Sequence, residues 1–388
     1  MKSNANLCEG NLFSRILLYT IPIILTGVLQ LLFNAADLVV VGRCCGSLSV
    51  AAVGATGSII NLITNLFIGL SVGAGVTVAH AFGAHMDEDA AKTVHTAIPL
   101  ACICGIMLTI IGVAGARTFL IWMDTPSDIL DLSAVYMRIY FCGITASMVY
   151  NFGSAILRAA GDTQSPLLYL TIAGVLNVIL NLFFVMVFHM DVDGVALATA
   201  ISQTLSAILV LFALHKRSDA CRLTWKGIRF HRNQLLKIVR IGLPAGIQGS
   251  LFAISNVMIQ SSVNSFGSVV VSGNSAAQNL EGFTYTTMNS FHQTALNFTG
   301  QNFGAGKFDR IRRILGFSLL YVFAFGLLAG SATYFFGSPL LRIYIPDSEA
   351  AVQYSFGFAA NSAAISFWNS ILPAICSRIG VLSDLFPR

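Results

Sequence analysis

Long apolar stretches constrain this chain more than any other feature of its sequence. A helix needs roughly 20 apolar residues to cross the hydrocarbon core of a bilayer, and it then satisfies its backbone polar groups internally. By this criterion the sequence predicts spans at 16–41, 50–79, 94–116, 134–157, 166–188, 193–214, 236–264, 269–299, 314–336 and 353–376. Ser, Asn and Ala dilute the last stretch. We therefore expect an all-α polytopic membrane protein.

The composition supports this fold class. Only 10% of the 388 residues are charged, whereas a soluble domain carries about 25% charged residues. A surface so poor in charge must face lipid, so membrane lipids are expected partners. The basic residues lie in loops, so the net charge of +5 does not indicate a nucleic-acid partner. The cysteines lack zinc-ligand spacing, and no nucleotide-binding or Ser/His/Asp motif is present, so we expect no metal site, no cofactor and no enzyme.

Lys and Arg concentrate in the connectors on one side of the predicted membrane. One connector carries Lys216, Arg217, Arg222, Lys226, Arg229, Arg232, Lys237 and Arg240, and another carries Lys307, Arg310, Arg312 and Arg313. Because basic loops stay in the cytoplasm, the N-terminus is predicted to be cytoplasmic. The segment 215–240 is predicted to be an amphipathic linker that lies along the anionic inner leaflet.

The sequence contains an internal repeat. Pro22 corresponds to Pro244, and F-G-A at 82–84 corresponds to F-G-A at 303–305. Six spans precede the second copy, so both copies enter the membrane in the same sense and form parallel helical bundles. We expect a six-helix lobe at 1–214, a linker at 215–240 and a second lobe at 241–388. A complete second copy would reach about residue 450, so the sequence predicts a truncated second lobe with about ten spans in all.

Several motifs of the chain resemble one transporter family. They are I-P-I-I-L-T-G-V-L-Q-L-L-F-N-A-A-D-L-V-V-V-G-R at 21–43, L-N-V-I-L-N-L-F-F at 176–184, L-P-A-G-I-Q at 243–248 and G-Q-N-F-G-A-G-K at 300–307. This set resembles the bacterial multidrug and toxic compound extrusion (MATE) transporters, and the resemblance implies a location in the bacterial inner (cell) membrane. The resemblance implies twelve helices in two lobes. It also implies export of drugs or other amphiphilic or cationic organic compounds, driven by inward H⁺ or Na⁺.

Asp37 is the first candidate for coupling. It lies in an apolar span, where a charge costs about 2.5–3.5 kcal/mol on translocon scales, and Asn34 lies near it. An acid there can take H⁺ or Na⁺ from outside and release it inside, and the resemblance places the coupling acid at this position. The alternative is an interfacial acid paired with Arg43. Pro22 permits a bend in the same span, and the resemblance implies that the helix bends when Asp37 is protonated.

Polar residues of the fifth and sixth spans complete the predicted coupling site. Asn177 and Asn181 share one helix face, and the resemblance implies that they line a cation site with Thr199. Many relatives have Asp where this chain has Asn181, so a Na⁺ site is weakened and H⁺ is favoured, although Na⁺ at Asp37 stays open. The alternative role of the two asparagines is an interhelical hydrogen bond.

The second half lacks an acid equivalent to Asp37 and is predicted to form the substrate cleft. The candidate lining residues are Gln248, Asn256, Gln278, Glu281, Tyr285, Asn289 and His292. Glu281 is equally consistent with a counter-charge for a cationic substrate and with an interfacial position. We expect small-molecule substrates and a monomer. Two alternatives stay open, namely a flippase for lipid-linked oligosaccharides and an inactive truncated transporter.

The glycines of the second span and of the repeated turns have structural interpretations. Gly69, Gly73 and Gly75 are spaced to let helices approach closely. Gly83 and Gly304 are predicted to adopt the left-handed conformation that follows a helix.

Overall fold

The structure is a computed structural model that describes residues 6–123, 125–264 and 268–344. Within those ranges the chain forms nine α-helices: α1 Leu12–Cys44, α2 Ser47–Gly83, α3 Asp87–Trp122, α4 Ser127–Ala159, α5 Gln164–Met186, α6 Val192–Lys216, α7 Arg232–Asn264, α8 Ser268–Gly304 and α9 Phe308–Tyr344. The same ranges contain one 3₁₀ turn, Trp225–Gly227, and no β-strand.

The helices confirm the predicted fold class. Each of the first nine predicted spans falls on one helix, and 353–376 lies outside the described residues. Eight of the described helices, α1–α7 and α9, are long and apolar enough to cross a membrane. The helix α8 is equally long but is not among them, because Ser, Thr, Asn and Gln recur along it. The chain is therefore a multi-pass, all-α membrane protein.

The described residues divide into two compact units that do not follow the chain order. Unit 1 contains 6–9, 29–255 (apart from 124) and 300–307, and unit 2 contains 10–28, 256–264, 268–299 and 308–344. The helix α1 begins in unit 2 and ends in unit 1, whereas α7 begins in unit 1 and ends in unit 2. The predicted lobes at 1–214 and 241–388 are a different division of the chain and stay a prediction.

The core of unit 1 is built around α4, which packs against α2, α3 and α6. Small residues allow the close approach of these helices: a side chain at Gly105 would collide with Thr145, and one at Gly143 would collide with Ala200. The buried residues of this core include Ala74, Val78, Val94, Ala97, Phe152, Ile156, Val210 and Leu214. Tight packing of small and branched side chains replaces the hydrophobic driving force that lipid cannot provide.

A seam of glycines joins α2 to α7 within unit 1. A Cβ atom at Gly69 would overlap the backbone of Gly246, and one at Gly73 would overlap Ile238 O and the backbone of Gly242. Gly75 packs instead against α4, where a Cβ would lie 3.3 Å from Ala155 Cβ. The predicted close packing at these three glycines is confirmed.

In unit 2, the first part of α1 packs antiparallel to α8. Thr20 Oγ1 donates a hydrogen bond of 2.9 Å to Thr294 Oγ1, and a Cβ at Gly27 would overlap the side chain of Thr286. Tyr19 meets Phe298 edge to face at 5.3 Å between ring centroids. Contacts that advance along α1 thus recede along α8, as in an antiparallel pair.

The repeated F-G-A turns contact each other, and the prediction for their glycines was wrong. The left-handed residues are His85 (φ 54°) and Gly306 (φ 68°), whereas Gly83 and Gly304 are the last residues of their helices. A Cβ at Gly83 would overlap Gln301 O, and one at Gly304 would overlap the backbone of His80. Such paired, reciprocal contacts between two copies are what a twofold axis produces.

The linker between the halves differs in regularity and bounds from the amphipathic element predicted at 215–240, whereas its position along the inner leaflet stays a prediction. The segment 217–231 is not an amphipathic element but an irregular one that packs on the first half, with Cys221 and Leu223 fully buried. Thr224 N donates a hydrogen bond of 3.0 Å to His95 Nε2 of α3, and Arg217 pairs with Asp219. The bond from Thr224 N satisfies a backbone donor that a helix would satisfy internally. Burial raises the pKa of the Cys221 thiol to about 12.

Candidate cation site

A chain of hydrogen bonds joins three helices of unit 1 at the predicted coupling residues. Asn181 Nδ2 of α5 donates to Asp37 Oδ1 of α1 at 2.5 Å and to Asn177 Oδ1 at 3.4 Å. Asn177 Nδ2 in turn donates to Thr199 Oγ1 of α6 at 3.3 Å. Asn177 and Asn181 are buried, with 5% and 0% of their surface exposed. The structure thus brings together Asp37, Asn177, Asn181 and Thr199.

Helix periodicity explains how α1 and α5 present these side chains to each other. Phe33 lies one turn before Asp37, and Gly174 lies one turn before Asn177, so each pair shares one face of its helix. A Cβ at Gly174 would overlap the Phe33 ring. The absence of a side chain at Gly174 therefore sets how closely α1 approaches α5 at the level of Asp37.

A buried apolar layer lies one turn from the hydrogen-bonded residues. It consists of Val41 on α1, Val185 on α5 and Val195 on α6, which form one cluster. The Thr199 hydroxyl also bonds to Val195 O, at 3.0 Å. This layer follows the hydrogen-bonded residues along α1 and α5 and precedes them along α6. The three helices therefore enclose the site on that side.

Two tyrosines of α4 complete the surroundings of Asp37. Tyr136 and Tyr140 lie one helical turn apart and stack with 6.2 Å between ring centroids. Both are close enough to Asp37 for its charge to act on their hydroxyl groups. Sequence reasoning missed these residues and Gly174, although the i, i+4 spacing of the tyrosines was a usable signal.

The amide of Asn181 is oriented by its neighbours and leaves one oxygen unused. Its NH₂ group donates to Asp37 and to Asn177. The NH₂ group of Asn177 is in turn directed at Thr199. Asn181 Oδ1 is buried and has no hydrogen-bond partner. A buried acceptor without a donor costs free energy, so a proton arriving on Asp37 has a ready acceptor once the amide turns over.

A hard cation would need oxygen ligands at the same place. Asp37, Asn177, Asn181 and Thr199 carry such oxygens, but Asn181 presents its NH₂ group to the carboxylate. Among the residues that the structure describes, no three His, Cys, Asp or Glu side chains are grouped as metal ligands would be.

The other predicted residues of the first half lie apart from this chain of hydrogen bonds. Asn34 is exposed. Pro22 is buried within α1, which continues as a helix on both sides of it, and Thr26 Oγ1 donates to the Pro22 carbonyl at 2.7 Å. Because Pro22 has no N–H, the carbonyl that loses a backbone donor is that of Leu18, one turn before it.

The predicted cleft residues fall in both units. Gln248 is an exposed residue of α7 in unit 1, whereas Asn256 and the α8 residues belong to unit 2. On α8, Gln278 and Tyr285 are exposed, while Glu281, Asn289 and His292 are half-buried. Their spacing places most of them along one face of α8. His292 Nε2 is buried without a hydrogen-bond partner.

Comparison with known proteins gives a consistent result for most of the chain. The model of one family, MatE, matches residues 22–183 and 244–378. The "Probable multidrug resistance protein YpnP" of Bacillus subtilis is 27% identical over 342 residues, which are 88% of this chain and 76% of the relative. The "FAD transporter" of Shewanella oneidensis is 24% identical over 337 residues, 86% of this chain and 74% of that protein.

A solved structure shares the fold. It is described as the outward-facing conformation of a multidrug resistance MATE family transporter, and it superposes with a TM-score of 0.87 at 21% identity. The match covers 95% of this chain and 82% of the solved chain. The likeness therefore extends over nearly all of the present sequence.

Proposed function

This chain belongs to the MatE family, and we propose that it is a secondary exporter of small organic compounds that is driven by inward movement of H⁺. The observation that carries the proposal is the hydrogen bond from Asn181 to Asp37, made between two membrane helices. A carboxyl group in an apolar span is costly, so its presence there indicates a function.

The geometry supports a proton cycle at Asp37. As a carboxylate, Asp37 accepts a hydrogen bond from the Asn181 NH₂ group. As a carboxylic acid, it becomes a donor and matches the partnerless Asn181 Oδ1. Binding and release of one proton thereby reverse the direction of a bond between α1 and α5, which couples protonation to the fit of two helices.

The same amide favours H⁺ over Na⁺. A sodium ion at Asp37 would need several oxygen ligands at once, whereas a proton on Asp37 needs only one acceptor, which Asn181 Oδ1 provides. Asn181 also cannot supply a second negative charge. The site therefore holds one acid and one exchangeable proton.

We propose drug-like, amphiphilic or cationic compounds as substrates, supported by the names of relatives such as YpnP. The polar face of α8, with Gln278, Glu281 and Tyr285, is our candidate for contacts with them. The basic connectors predict a cytoplasmic N-terminus, and we propose that transport is outward. The flippase alternative has no support among these relatives, so we do not propose it. The test below assumes that the 388-residue chain is active.

The test is efflux of ethidium from proteoliposomes containing the full chain. With a pH gradient and no Na⁺, we expect efflux by the wild type and a reduction of at least about tenfold in Asp37→Asn, since an amide cannot carry the proton. Asp128→Asn, which alters an exposed acid at the start of α4, is the matched control and should retain wild-type efflux.

Two further measurements test the identity of the coupling ion separately from the transport activity. A Na⁺ gradient at equal pH should drive little efflux in the wild type and more in Asn181→Asp, which adds a second acid beside Asp37. Unchanged efflux in Asp37→Asn would refute the coupling role. A wild type that exports no compound from a panel of cationic dyes under either gradient would refute the exporter.

A further inference from the structure

A groove on unit 2 lies between the start of α1 and the first turns of α9. It encloses about 740 Å³ and is open on one side. We call it the α1–α9 groove, and its lining residues are Gly10, Asn11, Leu12, Arg310, Arg313, Gly316, Phe317 and Leu320. The groove involves neither Asp37 nor the polar face of α8.

One end of the α1–α9 groove is cationic. Arg310 and Arg313 line it, and Arg310 is held in place by a hydrogen bond of 2.9 Å from Nη2 to Gly10 O. A guanidinium group has five N–H donors in a planar fork, and Arg313 is exposed at the same end of the groove. Arginine forks match the oxygens of phosphate.

The other end of the groove is apolar and continues along α9. Phe317 and Leu320 line this end, and Leu320 is 51% exposed. Phe323 and Leu327, further along the same helix, are 53% and 61% exposed. They lie in a helix that is apolar enough to span a membrane, where exposed apolar side chains are available to lipid tails.

Gly316 keeps the space between the two ends clear. A Cβ atom built at Gly316 meets no atom within 4 Å, so its missing side chain is not required by a neighbouring helix. The glycine instead leaves an uninterrupted path from the arginines to Phe317 and Leu320.

We propose that the α1–α9 groove binds one anionic phospholipid, with its phosphate on Arg310 and Arg313 and an acyl chain beside Gly316, Phe317 and Leu320. The cationic end and the apolar end of the groove match a lipid in both charge and polarity. Basic pockets between membrane helices on the cytoplasmic side are recurrent sites for anionic headgroups.

The test is native mass spectrometry of the full chain, titrated with phosphatidylglycerol, phosphatidylcholine or inorganic phosphate. We expect one phosphatidylglycerol to bind more tightly than the rest, and its Kd to rise ~5-fold in Arg310→Gln or Arg313→Gln. Gly316→Phe, which fills the groove but keeps both arginines, should lose the same bound lipid. Phosphatidylcholine and phosphate alone should leave no comparable adduct.

The matched control is Arg312→Gln, an exposed arginine of the same turn that does not line the groove. It should bind phosphatidylglycerol like the wild type. An equal loss in Arg312→Gln would mean that surface charge alone attracts the lipid, and unaltered binding in Gly316→Phe would mean that the groove is not the site. Either result overturns the proposal, as does a phosphate adduct of equal affinity.

Discussion

The pair α2–α7 and the pair α1–α8 hold corresponding positions in the repeat but make contact by different chemistry. Thr20 and Gly242 each lie two residues before the repeated proline, and Gly73 and Thr294 lie equally far before the repeated F-G-A glycine. In unit 1 the contact is backbone against backbone, at Gly73 and Gly242. In unit 2 it is one hydroxyl group against another, at Thr20 and Thr294.

The difference shows that the two contacts tolerate change unequally. At the glycine seam, each helix occupies the space where a side chain of the other would stand, so any Cβ forces the backbones apart. At the threonine contact, each hydroxyl also has a carbonyl of its own helix within reach, Ile16 O for Thr20 and Ser290 O for Thr294. Loss of the interhelical bond therefore leaves neither hydroxyl unsatisfied.

The largest effect is expected from Gly73→Val. Its side chain would overlap Ile238 O and the Gly242 backbone, and overpacking against a backbone that cannot yield should cost about 3 kcal/mol or more. Thermal unfolding in detergent, followed with a thiol-reactive dye, measures this through the buried thiols of Cys104 and Cys221. Cys221, with its pKa raised to about 12, stays unreactive near neutral pH until the fold opens.

Gly54→Val is the control for that experiment, because it adds the same side chain to α2 where a Cβ meets no atom within 4 Å. Its unfolding temperature should stay near that of the wild type. Equal destabilisation by the two substitutions would show that helix propensity, and not the seam, explains the result.

An intermediate effect is expected from Gly174→Ala, where the neighbour is the Phe33 ring instead of a backbone. A ring can move, so we expect a loss of stability of about 1–2 kcal/mol. The displaced α1 should also weaken the bond between Asp37 and Asn181 and lower pH-driven efflux severalfold. Efflux and unfolding measured on one preparation test this, and wild-type efflux at reduced stability would contradict it.

The smallest effect is expected from Thr294→Val, which removes one interhelical hydrogen bond worth about 0.6 kcal/mol. Thr26→Val is its control, since the Thr26 hydroxyl bonds only within its own helix, to Pro22 O. A double-mutant cycle with Thr20→Val should recover a coupling energy of the same size. A loss as large as that of Gly73→Val would remove the contrast between the two pairs.

Hydropathy and the repeat made the helices predictable, but they did not predict which helices pack against each other. Each apolar run became a helix because lipid leaves the backbone no other way to satisfy its polar groups. Asp37, Asn177 and Asn181 were found because a polar residue in such a run is conspicuous. Tyr136 and Gly174 were missed, since which helix faces α1 depends on packing between segments far apart in sequence.

The same limit explains the two errors. The basic residues of 215–240 suggested one amphipathic element where the chain is irregular, because the buried Cys221 and Leu223 are too few to form a visible apolar pattern. Gly83 and Gly304 suggested a left-handed turn, which is the commonest reason for glycine after a helix. Their actual reason is a contact between residues more than 200 positions apart, at Gln301 and His80.

The reciprocal contacts have a consequence for the ancestry of such a chain. In a homodimer of half-length subunits, a single codon would specify both Thr20 and its counterpart Gly242, so the two contacts would be chemically identical. Fusion of the duplicated gene releases each codon to mutate alone. A rigid glycine seam and a replaceable threonine contact can then coexist in one protein, which an unfused ancestor could not encode.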